Sequence, residues 1–386
     1  MSAHRKVCVV ITARPSYSRI KTALQAIKEH PDLELQIVLS ASAILDRYGK
    51  VEDTIESDGF KIDARVQTII EGDTLKASVK STGLGLIELP SVFERLEPDM
   101  VVTIADRFET IATAISAAYM NIPLVHVQGG EVTGSIDEKV RHAITKLADI
   151  HLVSNSLAHE RIIRLGEIPE NIFITGCPSI DLAAKIHPTT ELDFSPMEKY
   201  NGVGVPIAED QDYLVVLQHP VTTEYGLAQE QVNCTLEAIT ELNIPTFWFW
   251  PNVDAGTDGT SKAIRIHREQ FPTAPIHYFK NFAPMDFLKL ISCAKVLVGN
   301  SSAGIRESSF LGVPVVNIGT RQNGRQRGKN VVDVNYDKQQ ISEAIKRQFN
   351  HGRYEQSFIY GDGKSGKRIA ETLATVTLTN KKRLTY

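Results

Sequence analysis

An α/β protein of two doubly wound, Rossmann-like domains is what the sequence predicts, and three observations carry that expectation. Short apolar runs alternate with amphipathic stretches through the first half of the chain; the rhythm fails over residues 181–211; it then restarts. Apolar runs of about four to six residues, hydrophobic on both faces, suit strands buried in a parallel sheet with helices on each side.

The elements follow in order. "KVCVVIT" leads to "SRIKTALQAIKEH", "LELQIVLS" to "SAILDRYG", "DMVVTIA" to "RFETIATAISAAYM", and "PLVHVQ" to "IDEKVRHAITKLA". "IHLVSN", "LAHERIIRLG" and "IFITG" complete a first domain over residues 1–180. Residues 181–211, rich in Pro, Gly and acids, read as a connection. "YLVVLQ", "VNCTLEAITEL", "PTFWFWP", "SKAIRIHREQ", "IHYFK", "MDFLKLISCA", "KVLVGN", "GIRESSFLG" and "VPVVNIG" then build a second domain, 212–365. A last helix, about 366–386, is placed to pack back on the first domain. Its start, "YGDGKSGKR", imitates a phosphate loop, but Arg368 stands where Ser or Thr would hold magnesium and no buried strand precedes it. A turn opening a helix is the better account. Ligands of doubly wound sheets sit at the carboxyl ends of the strands, so an active site in the cleft between the domains is expected.

With a net charge of −4 and 23% charged residues, the chain lacks the basic excess that nucleic acid or an anionic membrane surface requires. Cys8, Cys177, Cys234 and Cys293 are scattered without ligand spacing, which fits a reducing cytoplasm. "MSAHRKVCVVIT" runs directly into a strand pattern, so no signal peptide is expected, and no apolar run approaches the roughly 18 residues of a membrane span.

Polar groups gather at the strand ends. "TARPSYSRIK" puts Arg14 between a strand and a helix start, with Ser16 or Ser18 available as cap, an arrangement that suits an anion. "VVTIADRFET" sets Asp106 and Arg107 side by side, and "LVVLQHPVTT" offers His219. "FWPNVDAG" offers Asn252. In "VLVGNSSAGIRE" a strand ending at Gly299 meets Ser301, Ser302 and a helix from about Ala303, as a diphosphate needs, with Glu307 a turn further in for ribose hydroxyls. The plain alternative there is capping by Ser302 beside an exposed Glu307. Of "GTRQNGRQRGKN", only Arg321 is taken as functional; Arg325, Arg327 and Lys329 read as a solvated loop.

"HVQGGEVTGSIDEKVRHAIT" groups Gln128, Glu131 and Asp137 around one glycine turn. Proton transfer is one reading. Helix-start chemistry is the other: Ser135-x-x-Glu138 fits a capping box, and Arg141 stands four residues beyond Asp137. Glu138 and His142 are given structural tasks.

Taken together and in this order, "TARPSYSR", "DRFE", "HVQGGEVTGSIDE", "LQHPVTT", "PNVDAG", "GNSSAGIRE" and "GTRQNGRQRG" resemble the hydrolysing UDP-N-acetylglucosamine 2-epimerases. These include bacterial enzymes of sialic-acid synthesis and the epimerase half of a bifunctional animal enzyme. "GGE" followed by "TGSIDE" is similar to the hydrolysing branch, since the non-hydrolysing branch has Ala-Gly-Leu after its Glu. The resemblance implies a glycosyltransferase-B type fold with a nucleotide-binding second domain, a cytoplasmic homodimer, and a UDP-sugar as partner with no cofactor. It implies that Arg14, Ser18, Arg107, His219, Asn252, Ser301, Ser302, Glu307 and Arg321 hold the nucleotide diphosphate, and that Asp106 and Asp137 are catalytic. The sequence departs from the family at Gln128, where a Glu is usual, and at "IADR", where Gly usually precedes Asp-Arg.

In the family reaction UDP leaves C1 as the C2 proton is removed, giving a 2-acetamidoglucal; water adds at C1 and a proton returns to the other face of C2. That proton is not acidic, so departure of the diphosphate must lead, and Arg14, Arg107, His219 and the Ser301–Ser302 helix end can stabilise it without a metal. Proton exchange on two faces needs two acid–base groups, and an amide cannot serve. Glu131 taking the role, Asp106 with Asp137 sufficing, or a different sugar (UDP-diacetylbacillosamine or a GDP sugar) are the open explanations of Gln128. A glycosyltransferase on the same scaffold and a binding protein that has lost catalysis are the alternative functions.

Overall fold

A computed structural model describes residues 4–45, 51–70, 75–104, 107–132, 137–187, 191–208, 210–251 and 256–385. Asp106, Ser135 and Asn252 lie outside them, as does the side chain of Asp137. Two compact units divide the chain. The first takes residues 1–131, 136–181 and 360–386, the second 132–135 and 182–359.

The first unit contains β1 (Arg5–Ile11), α1 (Arg14–Glu29), β2 (Leu33–Ser40), α2 (Val51–Ser57), β3 (Ala64–Val66), α3 (Leu75–Leu96), β4 (Met100–Ile104), α4 (Thr110–Tyr119), β5 (Leu124–Val127), α5 (Asp137–Leu147), β6 (Ile150–Val153), α6 (Ser156–Arg164), β7 (Ile172–Ile174) and the start of α7 (Pro178–Ala183). Its seven strands are all parallel, in the order β3-β2-β1-β4-β5-β6-β7. Both faces are buried. Val7, Val9 and Ile11 of β1 enter one core, and Cys8 and Val10 enter the other.

The second unit contains α8 (Pro196–Tyr200), β8 (Val203–Gly204), β9 (Leu214–Leu217), α9 (Ala228–Leu242), β10 (Thr246–Phe249), α10 (Thr257–Gln270), β11 (Ile276–Phe279), α11 (Pro284–Cys293), β12 (Val296–Gly299), α12 (Ser302–Ile305), α13 (Glu307–Leu311), β13 (Val315–Ile318), β14 (Val331–Val334) and α14 (Lys338–His351). Its sheet runs β14-β13-β12-β9-β10-β11-β8, parallel except for β8 at the edge. Residues 191–208 thus carry a helix and an edge strand of this unit.

Each sheet has one place where the chain reverses its direction of winding. In the first it lies between β1 and β4, in the second between β9 and β12. Helices on opposite faces leave a crevice there at the carboxyl ends of the strands.

Local details correct some expectations. Neither Ser16 nor Ser18 caps α1: the cap is Ala13, Pro15 sits in the first turn, and Ser18 Oγ donates back to Arg14 O at 3.4 Å. Pro15 has no N–H, and the Ser16 and Tyr17 N–H groups both donate to Ala13 O, so this helix start offers an anion less backbone than its sequence implies. "SAILDRYG" begins as a 3-10 turn, Ala41–Ile44, rather than a helix.

The phosphate-loop imitation opens α15 (Ser365–Thr375), which packs on α1 in the first unit. Its N-terminus is filled from within. Asp181 accepts from Ser365 N at 2.8 Å, Gly366 N at 2.6 Å and Thr22 Oγ1 at 2.9 Å. A carboxylate of the chain itself occupies the place a phosphate would take.

A second internal clamp surrounds Glu167. Its buried carboxylate accepts from Lys146 at 2.6 Å and from Lys382 at 2.5 Å, and lies 3.1 Å from His151 Nε2. Burial alone would raise this carboxyl, but hydrogen bonds from His151, Lys146 and Lys382 outweigh burial and hold it at about 2. Because the folded value lies below the ordinary 4.5, the clamp stabilises fully above that pH and loses its contribution as pH falls toward about 2. Glu167→Gln is expected to lower stability at pH 7 by about 3 kcal/mol, leaving the half-buried Lys382 without its counter-ion. Urea titrations at pH 7 and pH 3 check this, and the variant's loss on acidification must be the smaller of the two.

Candidate functional site

The carboxyl ends of β1, β4 and β5 carry the first unit's candidates. Arg14 is half-buried at the first position of α1, beside the reversal point, with Ser18 one turn along. Arg107 follows β4, and its Nε donates to Glu109 Oε1 at 2.9 Å. Glu109 is buried, and its other oxygen finds no hydrogen-bond partner among the described residues. Arg107 is thus a partly exposed guanidinium held from behind by a carboxylate that the sequence reading passed over.

After β5 the chain makes a constrained turn. Gln128 and Gly130 both have left-handed backbone, at φ 68° and 73°, a conformation that is costly for glutamine. A Cβ on Gly130 would collide with the Ala158 carbonyl, and one on Gly129 would lie 2.8 Å from His126 Nδ1. Arginines hold the turn from outside: Arg161 donates to Gly130 O at 3.4 Å, and the wholly buried Arg141 to Glu131 O at 2.9 Å.

Three side chains of this stretch are fixed by that frame. Glu131 is buried and accepts from Ser154 Oγ at 3.1 Å. Glu138 meets Arg141 at 3.0 Å and His142 at 2.8 Å, the structural tasks expected of Glu138 and His142. Gln128, 4% exposed, donates from Nε2 to Cys177 Sγ at 2.9 Å. Asp137 opens α5.

In the second unit the reversal point is tied by one amide. Gly299, at φ 124°, lets β12 turn tightly against Leu217, where any side chain would strike the Leu217 carbonyl. Asn300 then brackets the backbone of His219: its Oδ1 accepts from His219 N and its Nδ2 donates to His219 O, both at 2.8 Å. The Asn300 carbonyl accepts from Arg321 at 3.1 Å and Gln322 at 2.9 Å. His219, Ser301 and Arg321 are thereby assembled around Asn300, a residue not among the sequence-based candidates.

The helix that follows is short, as expected, and is divided from α13. Ser301, not Ser302, is its cap, accepting from Ala303 N at 3.4 Å. Ser302 Oγ accepts from the buried Arg306 at 2.9 Å, and the backbone breaks at Arg306 so that Glu307 starts α13. Glu307 is largely buried rather than exposed, with Oε2 3.9 Å from Arg306 Nε. Arg325 is buried, against the expectation of a solvated loop; Arg327 pairs with Asp333, and Lys329 is exposed. Beneath the loop, burial and the nearby Glu224 carboxylate push the Tyr336 hydroxyl up to about 12, so it stays protonated.

Comparison with known proteins now bears on this geometry. The profile of the family described as UDP-N-acetylglucosamine 2-epimerase matches residues 25–374. The chain belongs to that family. Among its relatives, the UDP-N,N'-diacetylbacillosamine 2-epimerase (hydrolyzing) of Legionella pneumophila is 30% identical over 97% of both chains. The UDP-N-acetylglucosamine 2-epimerase of Neisseria meningitidis is also 30% identical, over 96% of this chain and 95% of its own. Among solved structures, UDP-GlcNAc 2-epimerase from Neisseria meningitidis bound to UDP-GlcNAc superposes with a TM-score of 0.78 at 18% identity, covering 95% of this chain and 99% of that one. The two-domain glycosyltransferase-B type fold and an enzymatic, nucleotide-sugar 2-epimerase family are therefore secure.

In this epimerase the turn after β5 leaves no room for a side chain at Gly130. Gly130→Ala is expected to destabilise by about 2 kcal/mol or more, because both φ and the Ala158 carbonyl oppose a side chain. Gly83→Ala, in α3 with open space around it, is expected to stabilise by up to about 1 kcal/mol. Denaturant midpoints of the two variants check the contrast.

Proposed function

We propose that the protein is a hydrolysing 2-epimerase of a UDP-activated N-acetylated hexosamine, releasing UDP and the free manno-configured sugar. The observation that carries this reading is the Asn300 bracket, which assembles His219, the Ser301–Ser302 helix start and Arg321 at the reversal point of the second sheet. Hydroxyls, a guanidinium and a histidine held by its backbone at one strand end suit a departing diphosphate. Glu307, one residue beyond Arg306, is the acceptor for ribose hydroxyls, and Asn252 completes the nucleotide contacts.

Arg14, Ser18 and Arg107 belong to the same task from the first unit. With the leaving group stabilised, C1–O cleavage runs ahead of loss of the C2 proton, and a 2-acetamidoglucal results. Water then adds to C1 while a proton returns to the opposite face of C2. Asp106, Asp137 and Glu131 are the carboxyl groups for these transfers; Gln128 orients the acetamido group and carries no proton. His219 serves the leaving phosphate. No cofactor is required. The enzyme is cytoplasmic and homodimeric on this reading, and its product, N-acetylmannosamine or the 4-acetamido-6-deoxy analogue, feeds synthesis of a sialic or legionaminic acid. Two relatives of equal identity are named for different sugars, so identity leaves the choice between them to experiment.

Purified protein is incubated in D₂O with UDP-N-acetylglucosamine and, separately, with UDP-diacetylbacillosamine, without any acceptor. Proton and phosphorus NMR are expected to show UDP with a manno sugar deuterated at C2, faster for the natural substrate. Binding without UDP release in both tubes would defeat the proposal in favour of a binding protein or a transferase awaiting its acceptor. Asp137→Asn is expected to lower kcat by roughly 10²–10⁴ with UDP affinity retained, as removal of an acid–base group should.

A further inference from the structure

The buried thiol of Cys177 has no part in the chemistry above, yet it touches Gln128, a residue at which this chain departs from the family pattern. Cys177 follows β7, and Gln128 follows β5; both strands end on the same side of the first sheet, with β6 between them. The end of β6 holds both segments, since Gln128 N donates to Leu152 O at 2.9 Å and Thr175 N to Val153 O at 3.0 Å. Cys177 N donates in turn to Tyr360 O at 2.8 Å. The sulfur is therefore fixed by backbone on both flanks, with no solvent exposure. It lies 2.9 Å from Gln128 Nε2 and 3.0 Å from Ser179 Oγ.

A carboxamide and a carboxylate differ in more than charge. A carboxylate is the same at both oxygens, and either can face a ligand. A carboxamide has a donor end and an acceptor end, and something must decide which end faces where. Gln128 cannot decide this alone. Its left-handed backbone sets the direction of the side chain but not the rotation of the terminal amide. A sulfur beside Nε2 accepts an N–H and turns Oε1 to the other side of the group. A hydrogen bond shared between Sγ and Ser179 Oγ extends this into a chain from amide to thiol to hydroxyl.

We propose that Cys177, backed by Ser179, is a positioning residue that turns the carbonyl end of Gln128 toward the N–H of the substrate's acetamido group. This deepens the functional reading of the preceding subsection and rests on it. The pairing selects for a sugar carrying an amide donor at C2 over one carrying a hydroxyl or a free ammonium group there. It also explains how an amide can stand at a position where the family uses an acid: here the group holds the substituent, and the proton is carried elsewhere.

The test joins kinetics to a spectroscopic readout. Cys177→Ala removes the partner of the amide and is expected to raise KM for the better UDP-sugar by roughly tenfold with kcat within about twofold, the pattern of lost uniform binding. Cys177→Ser keeps an acceptor at the position and is expected to restore most of the affinity. Infrared absorption supplies the second readout: the S–H stretching band missing in Cys177→Ser belongs to Cys177, and it is expected to shift in Gln128→Leu and in Ser179→Ala. Should Cys177→Ala be too unstable, Cys177→Ser and Gln128→Leu carry the test unaided. An unmoved band in Gln128→Leu, or wild-type KM in Cys177→Ala, overturns the proposal. So does a fall in kcat at constant KM in both cysteine variants, which would put the thiol in proton transfer. If the wild-type protein turns over neither sugar, the functional reading itself falls, a result distinct from any change confined to the Cys177 variants.

Discussion

A parallel strand cannot pass its chain to a parallel neighbour without crossing the sheet, and this constraint organises both units. Every crossover places a helix on one face, and reversal of winding leaves one gap where helices diverge, at β1 and β4 in one sheet and at β9 and β12 in the other. Sheets buried on both faces must spend their strand interiors on Val, Ile and Leu, so chemistry is confined to the loops at strand ends. Arg14, Arg107, Gln128, His219 and Ser301 are each found within a few residues of a strand's last hydrogen bond. Their grouping follows from topology before any side chain is considered.

Most of that frame is legible in the sequence because periodicity reports burial directly. Runs such as "KVCVVIT" and "VLVGN" have no polar face, and the strands they predict are present with their carboxyl ends where the polar residues begin. What stays hidden is which polar residue holds which. Asn300 looks like turn filler, yet its amide brackets the backbone of His219 across two strands that are 81 residues apart. Arg306 looks like a surface residue of a helix and is buried on Ser302. Cys177 carries only the weak signal of a thiol after a strand end in "IFITGCPSID". Pairings of this kind depend on long-range register, which no local pattern encodes. Ser16 and Ser18 fail as caps for a related reason: Pro15 makes the helix start earlier, at Ala13, than hydroxyl-capping rules alone would place it.

Left-handed backbone, close contacts and a buried arginine coincide at the turn after β5. A glutamine in left-handed backbone, two glycines admitting no side chain, and two guanidinium groups on successive carbonyls form a rigid loop of four residues. Natural chains keep such a conformation where geometry matters more than stability. Elsewhere in the first unit, stability is secured by clamps that exclude ligands: Asp181 fills a helix start and Glu167 gathers three nitrogen donors. Positive charge and helix-start N–H groups are thus neutralised internally at these two places.

The helix that Asp181 anchors has a consequence for how the molecule is made. Its residues leave the ribosome only after the whole of residues 182–359, yet they complete the unit whose strands leave before that segment. The early sheet must therefore wait, with the flank of α1 uncovered, through the synthesis of an entire second unit. That second unit is built almost entirely from one uninterrupted segment and can close on itself in the meantime. Order of synthesis and order of completion are inverted.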